Sequence, residues 1–155
     1  MLHGRSIVDK QSTVVNLAKP MIKDIVDHPK HYASPSEIGL PILKVLLGDF
    51  DADLCIYTIH EFECIDVEEW IEDEWGWQSA PIKAFEYLWR AGQKEDAIAD
   101  LEKAKWYLNR SIKKKRIGPT ATTIYDTIQM IDATISREAG EELVAQAQEW
   151  GMYDL

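Results

Sequence analysis

Two helical periodicities flank Gly92, and together they constrain the fold more than any other feature of the sequence. From Pro81 onward, Ile82, Phe85, Leu88 and Trp89 recur at the spacing of one helix face. Ser79 is placed to cap that helix, and Pro81 suits its first turn, where a missing N–H costs little. Gly92 can take the left-handed conformation that closes a helix. Beyond Gln93 and Lys94, Ile98, Leu101, Lys105, Leu108 and Ile112 step along a second helix, with Ala97, Ala104 and Trp106 widening the stripe. Helices joined by so short a link must lie close together, as an αα-hairpin. The expected fold class is all-α: a helical bundle built round a central αα-hairpin, with an N-terminal arm.

The rest of the chain divides around that unit. Residues 1–26 lack a clear period and read as an arm. Residues 27–118 read as a helical domain. Within it, helices are expected over 36–47, capped by Ser34 or Ser36, over 51–62, and over 65–75, closed by Gly76. In the last of these Ile65, Trp70 and Ile71 are expected to point inward, with Val67 and Trp75 at the margins. Residues 119–155 read as C-terminal helices. Ile124, Ile128, Ile131 and Ile135 lie at helical intervals, and Gly140 is expected to break the run before a last short helix. The β-branched residues of this region lower its intrinsic helicity, so it should need packing partners, and a homo-oligomer is expected.

Charge narrows the function. The 155-residue chain carries a net charge of -10, which disfavours a general nucleic-acid or membrane binder. Residues 61–75 hold eight acids, whereas residues 103–116 hold seven bases. The basic run suits a solvated helix C-terminus. Cys55 and Cys64 are the only cysteines and show no zinc-type spacing, which fits a reducing compartment. The N-terminus lacks the apolar core of a signal peptide, and a cytoplasmic location is expected. No Walker loop, GxGxxG or GxSxG occurs.

Two constellations could carry chemistry. On the acidic stretch, Glu68 and Glu69 stand one turn from Glu72, and Asp66 lies nearby. Carboxylates so spaced can share Mg²⁺ through oxygen ligands, with Asp96 and Asp100 facing them from another helix. Glu68-Glu69-x-x-Glu72 resembles the EExxE element of the all-α nucleoside triphosphate pyrophosphatases, although the ExxD element of that family does not follow. The commoner explanation of such a cluster is a solvated helix face. The second constellation is basic and aromatic: His28, Lys30, His31 and Tyr32 with Lys83, Trp89, Arg90, Lys94 and Lys105. Arginine and lysine suit phosphate oxygens, and aromatic rings offer faces for a base. The competing explanation makes Trp89 core and pairs Arg90 with neighbouring acids.

His28-Pro29-Lys30-His31-Tyr32, then Glu63-Cys64-Ile65-Asp66, then Tyr87-Leu88-Trp89-Arg90-Ala91-Gly92 with Lys94, then Asp100-Leu101 with Lys103-Ala104 and Trp106-Tyr107-Leu108 form an ordered set of blocks. In pattern they run HPxHY, ECID, GNxxKYLWRAGxK and DLxKAxWYL. In this order they resemble the small phage-encoded SaV-like family, over residues 27–32 and 63–112. The resemblance implies a phage protein acting on nucleotides in the infected cell, because the family includes a deoxynucleoside monophosphate kinase without a P-loop. It implies that residues 27–118 bind a nucleotide, with Mg²⁺ if the chain is an enzyme and Asp66 helping to hold it. Arg90, Lys94 and His31 would then cradle phosphates, and Tyr32 or Trp89 would stack the base. The family's Gly-Asn is Ile82-Lys83 here, and its Lys before the Tyr is Glu86. A non-catalytic protein that sequesters a nucleotide-derived host immune signal is the alternative, and a Mg-dependent pyrophosphatase at Glu69 and Glu72 is a third. For the shared pocket, Arg90→Ala is expected to weaken binding without unfolding the chain.

Overall fold

The computed structural model describes residues 34–50 and 62–151. The arm over 1–26, the turn carrying His28, Lys30, His31 and Tyr32, and the helix expected over 51–62 up to Glu61 lie outside the described residues. Those described form five α-helices and no strand: α1 Leu40–Leu46, α2 Cys64–Trp75, α3 Ser79–Trp89, α4 Ala97–Lys113 and α5 Ala121–Glu149. A 3₁₀ turn, Gly48–Phe50, follows α1. The all-α expectation is met. α3 and α4, joined by residues 90–96, pack on each other more extensively than any other pair. α5 lies against α4 and α1, and both α1 and α2 contact α3. None of the described helices is long and apolar enough to cross a membrane.

The stripes read from the sequence largely make the core. Phe85, Leu88 and Trp89 of α3 and Leu101, Ala104 and Leu108 of α4 are fully buried, together with Ile42, Leu43 and Leu46 of α1. Burying such side chains contributes roughly 1.5–3 kcal/mol each, the main favourable term in the fold. The caps differ from expectation. Ser79 is already helical, and the residue before it, Gln78, makes no side-chain cap. Its Oε1 accepts instead from the Ile117 N–H at 2.9 Å, and its N–H donates to the Ile117 carbonyl at 2.9 Å. The start of α3 is thereby fastened to the segment after α4. Asp96 caps α4 by accepting from the Ala99 N–H at 3.2 Å.

Three expectations need correction. In α2, Trp70 and Ile71 point inward as expected, but Cys64, Val67 and Glu68 are buried with them, whereas Ile65 is 46% exposed. In α4, Trp106 lies two residues from both Ala104 and Leu108. At 100° per residue that puts it opposite the buried line, and it is 58% exposed. In α5, Gly140 does not break the helix, which runs unbroken for 29 residues. One interior glycine costs only about 1 kcal/mol relative to alanine, and good helix formers flank it, Glu138 and Ala139 before it and Glu141 and Glu142 after. The buried threonines of α5 are satisfied locally: Thr127 and Thr134 hydroxyls donate to the Thr123 and Met130 carbonyls at 2.7 and 2.8 Å.

At the C-terminal end of α3 two backbone segments cross closely. The Ser36 N–H donates to the Trp89 carbonyl at 2.7 Å, and a Cβ on Gly39 would lie 1.7 Å from the Leu88 carbonyl oxygen. Around Gly140 a Cβ would meet nothing within 4 Å. Gly39→Ala should therefore lose more than about 2 kcal/mol of stability. Gly140→Ala should gain about 0.5–1 kcal/mol. Urea midpoints of the two variants check both, and equal midpoints would contradict this packing.

Candidate functional site

The α3–α4 junction is built round a buried acid. Asp100 has a fully buried side chain, one turn into α4. Arg90, the residue that ends α3, brings its Nε to 3.8 Å from Asp100 Oδ1, a charge contact rather than a hydrogen bond. The Gly92 N–H donates to Asp100 Oδ2 at 3.3 Å, and Gly92 can do so because it holds φ at +81°. Burial pushes the Asp100 carboxyl upward, while the Gly92 N–H and the Arg90 charge oppose that rise. A carboxylate in that position requires its cation, so Arg90 holds the link between the helices. The clean binding probe expected of Arg90→Ala becomes a stability variant, since it strands a buried charge.

An aromatic and cationic seam continues outward from this pair. The Arg90 guanidinium lies 4.5 Å from the Tyr87 ring centroid, and Lys103 Nζ lies 5.4 Å from it. Tyr87 stacks on Tyr107 with centroids 5.8 Å apart and planes 15° apart. Trp106 meets Tyr107 edge-on at 5.0 Å, and Arg110 stands 5.9 Å from the Trp106 ring. Lys103 also pairs with Glu95 at 3.1 Å. Tyr87, Lys103, Trp106 and Tyr107 were not singled out as site residues from the sequence. The usable signal was helical phase: Tyr87 precedes Arg90 by three residues, and Lys103 precedes Tyr107 by four.

The residues that were singled out are dispersed. Trp89 is 0% exposed and belongs to the core, so it offers no ring face to a base. Lys83 is exposed and pairs with Glu86 at 3.3 Å. Lys105 donates to Asp132 at 2.8 Å, which ties α4 to α5 instead of serving the junction. Lys94 is exposed in the link beside Gln93. The Gln93 amide donates to the Ser34 carbonyl at 3.1 Å, so the described chain begins next to this link. On α2, Glu69 and Glu72 are exposed and Asp66 is partly so. Asp96 and Asp100, expected to face them, are committed to the α4 cap and to Arg90. Among the described residues no group of three or more His, Cys, Asp or Glu stands close enough to hold a metal ion.

Within α2 itself, Glu68 turns inward. Glu68 is buried on the α3 side of α2 and accepts from the Cys64 thiol at 3.4 Å. Burial and the nearby Glu86 charge push its carboxyl up to about 7, against the opposing effects of the Cys64 hydrogen bond and of Lys83. Burial and the Glu68 charge in turn push the Cys64 thiol well above its ordinary range, so it is no nucleophile near neutrality. Comparison with family models, with curated proteins and with solved structures finds no match.

Glu68 makes stability pH-dependent. Its folded pKa lies above the ordinary 4.5, so the folded state keeps a proton that the unfolded chain releases. Stability from this group therefore falls as pH rises from 4.5 to about 7 and is level beyond. Glu68→Gln should be the stabler protein at pH 8, by up to about 3 kcal/mol, and should converge on the wild type near pH 4.5. Thermal unfolding across that range reads it out, and identical curves at pH 8 would rule out the buried acid.

Proposed function

We propose that this chain binds a nucleotide or nucleotide-derived small molecule along the α3–α4 seam, as a phage protein in the cytoplasm of the infected cell. What supports this is one convergence. Two sequence blocks that resemble the SaV-like family, Tyr87 to Lys94 and Asp100 to Leu108, bring Tyr87 and Arg90 together with Lys103 and Tyr107. Next to them Trp106 keeps an exposed ring, which can take the stacking role expected of Trp89. Lys94 supplies a point charge for phosphate oxygens, Lys103 would exchange its partner Glu95 for them, and Arg90 adds its charge beside the Tyr87 ring. His28, Lys30, His31 and Tyr32, which lie outside the described residues, stay in the proposal on the family resemblance alone. The proposed reaction is phosphoryl transfer to a nucleoside monophosphate, which asks the protein mainly for positioning and charge neutralisation. Mg²⁺ would enter with the triphosphate. Asp66, Glu69 and Glu72 do not converge on a cage for it, so no step is assigned to them.

A specific observation favours the second reading, sequestration without turnover. Where the family pattern has Gly-Asn and Lys, Ile82 is buried and Glu86 neutralises Lys83. Those positions offer a ligand no free donor or cation. The homo-oligomer remains part of the proposal, supported by the exposed Leu143, Val144 and Trp150 near the end of α5.

The test is to incubate the protein with a panel of mononucleotides, cyclic nucleotides and ADP-ribose-type molecules, with ATP and Mg²⁺. Free ligand is then removed, the protein denatured and the released molecule identified by mass spectrometry. A retained nucleotide is expected. Trp106→Ala and Lys103→Gln, both at exposed positions, should each lower its retention by about tenfold. Recovery in converted form assigns the kinase, and recovery intact assigns sequestration. No retention of any panel member would overturn the proposal.

A further inference from the structure

A second basic site, away from the Tyr87–Trp106 surface, lies where α4 ends and α5 begins. There a groove of about 210 Å³ is lined by Ser111, Lys115, Arg116, Pro119, Ala121 and Ile124 among others. Its floor contains an anomaly. Ser111 is 2% exposed, yet its Oγ has no hydrogen-bond partner among the described residues. Buried hydroxyls are nearly always paired, because an unpaired one has given up its water hydrogen bonds without replacing them. Thr127 and Thr134 resolve the same difficulty by bonding back to their own helix, and Ser111 does not. Its Oγ stands 3.9 Å from where a Cβ on Gly118 would lie, toward the turn that walls the groove.

The surrounding backbone adds donors and positive charge. The α4 terminus closes with the Lys115 N–H donating to the Ile112 carbonyl at 3.1 Å and the Arg116 N–H to the Ser111 carbonyl at 2.9 Å. This closure satisfies the last carbonyls of α4 and places Lys115 at the left-handed position, φ 51°, which glycine would fill with less strain. On the other wall begins α5, whose 29 residues give a full helix dipole. Asp49 takes the Thr120 N–H and the Thr120 and Thr123 hydroxyls, at 3.1, 3.1 and 2.8 Å, and is not a wall of the groove. The first-turn N–H groups of Ala121 and Thr122 have no acceptor among the described residues. A buried hydroxyl, two cations and a helix start therefore share one small cleft, and the chemistry they match is a tetrahedral oxyanion.

We propose that the α4–α5 groove binds a phosphate group, held by Ser111 Oγ, the Lys115 and Arg116 side chains and the first-turn N–H groups of α5. This site does not depend on the proposed seam function, and its test uses inorganic phosphate alone. In ¹H–¹⁵N spectra of the full chain, at ionic strength matched with NaCl, phosphate should shift the Ala121 and Thr122 amides saturably. Arg116→Gln should weaken that binding about tenfold. Ser111→Ala should leave the phosphate-free protein as stable as the wild type or more so, and should reduce the gain in melting temperature that phosphate confers. Tighter binding of a nucleoside monophosphate than of inorganic phosphate would assign the group to a phosphate ester, and equal binding to the free anion. Amide shifts that grow linearly with salt, or a phosphate response unchanged in both variants, would overturn the site and leave the cations as partners of the α4 dipole only.

Discussion

The fold turns on a buried carboxylate. Asp100 is fully buried at the start of α4, and it is held there by the Arg90 charge and the Gly92 N–H. Both partners come from the few residues that end α3. An unpaired charge in that position would cost several kcal/mol, so the helices can meet only in the register that supplies the pair. The same few residues receive the chain from the other side. Ser36 donates to the Trp89 carbonyl, and Gly39 passes against the Leu88 carbonyl with no room for a Cβ. One end of α3 therefore fixes α4 and the approach to α1 at once.

What lies outside that lock inherits its geometry. Tyr87 is one turn before Arg90 and carries the guanidinium on its ring, and its other neighbours, Tyr107 and Lys103, are set by the register of α4. The block from Tyr87 to Lys94 thus has two kinds of residue. Trp89, Arg90, Ala91 and Gly92 make the core and the lock, while Tyr87 and Lys94 reach toward the surface. A motif of this kind states first how two helices are joined. Any binding function falls to its outward members, here extended by Lys103 and Trp106.

Much of this was legible in the sequence, and the exceptions share one cause. The α3 and α4 stripes were readable because their apolar residues recur at 3.6-residue spacing; Gly76 closes α2 as expected, and Gly92 is left-handed as expected although α3 already ends at Trp89 with Arg90 as its cap. The depth of burial was not readable. Trp89 looks the same in sequence whether it is core or platform, and only packing from α1 and α4 decides. Trp106 and Ile65 fell on the wrong side because a stripe one residue too wide still fits the period. Lys105 was grouped with the junction cations, but Asp132, 27 residues on, claims it. Gly140 was taken for a stop, but one glycine's cost is small and local, and the good helix formers on both sides carry the helix through it.

The central claim is that Arg90 and Asp100 act as one unit, and a double-mutant cycle tests it most directly. Arg90→Met, Asp100→Asn and the double variant would be unfolded in urea beside the wild type. Asn keeps an acceptor for the Gly92 N–H, so the cycle isolates the charge pair. Arg90→Met should cost about 3 kcal/mol in the wild-type background and less than about 1 kcal/mol once Asp100 is neutral. That difference would show that the arginine is required by the buried acid. Equal costs in both backgrounds would contradict it and would mean that the junction is held by packing alone.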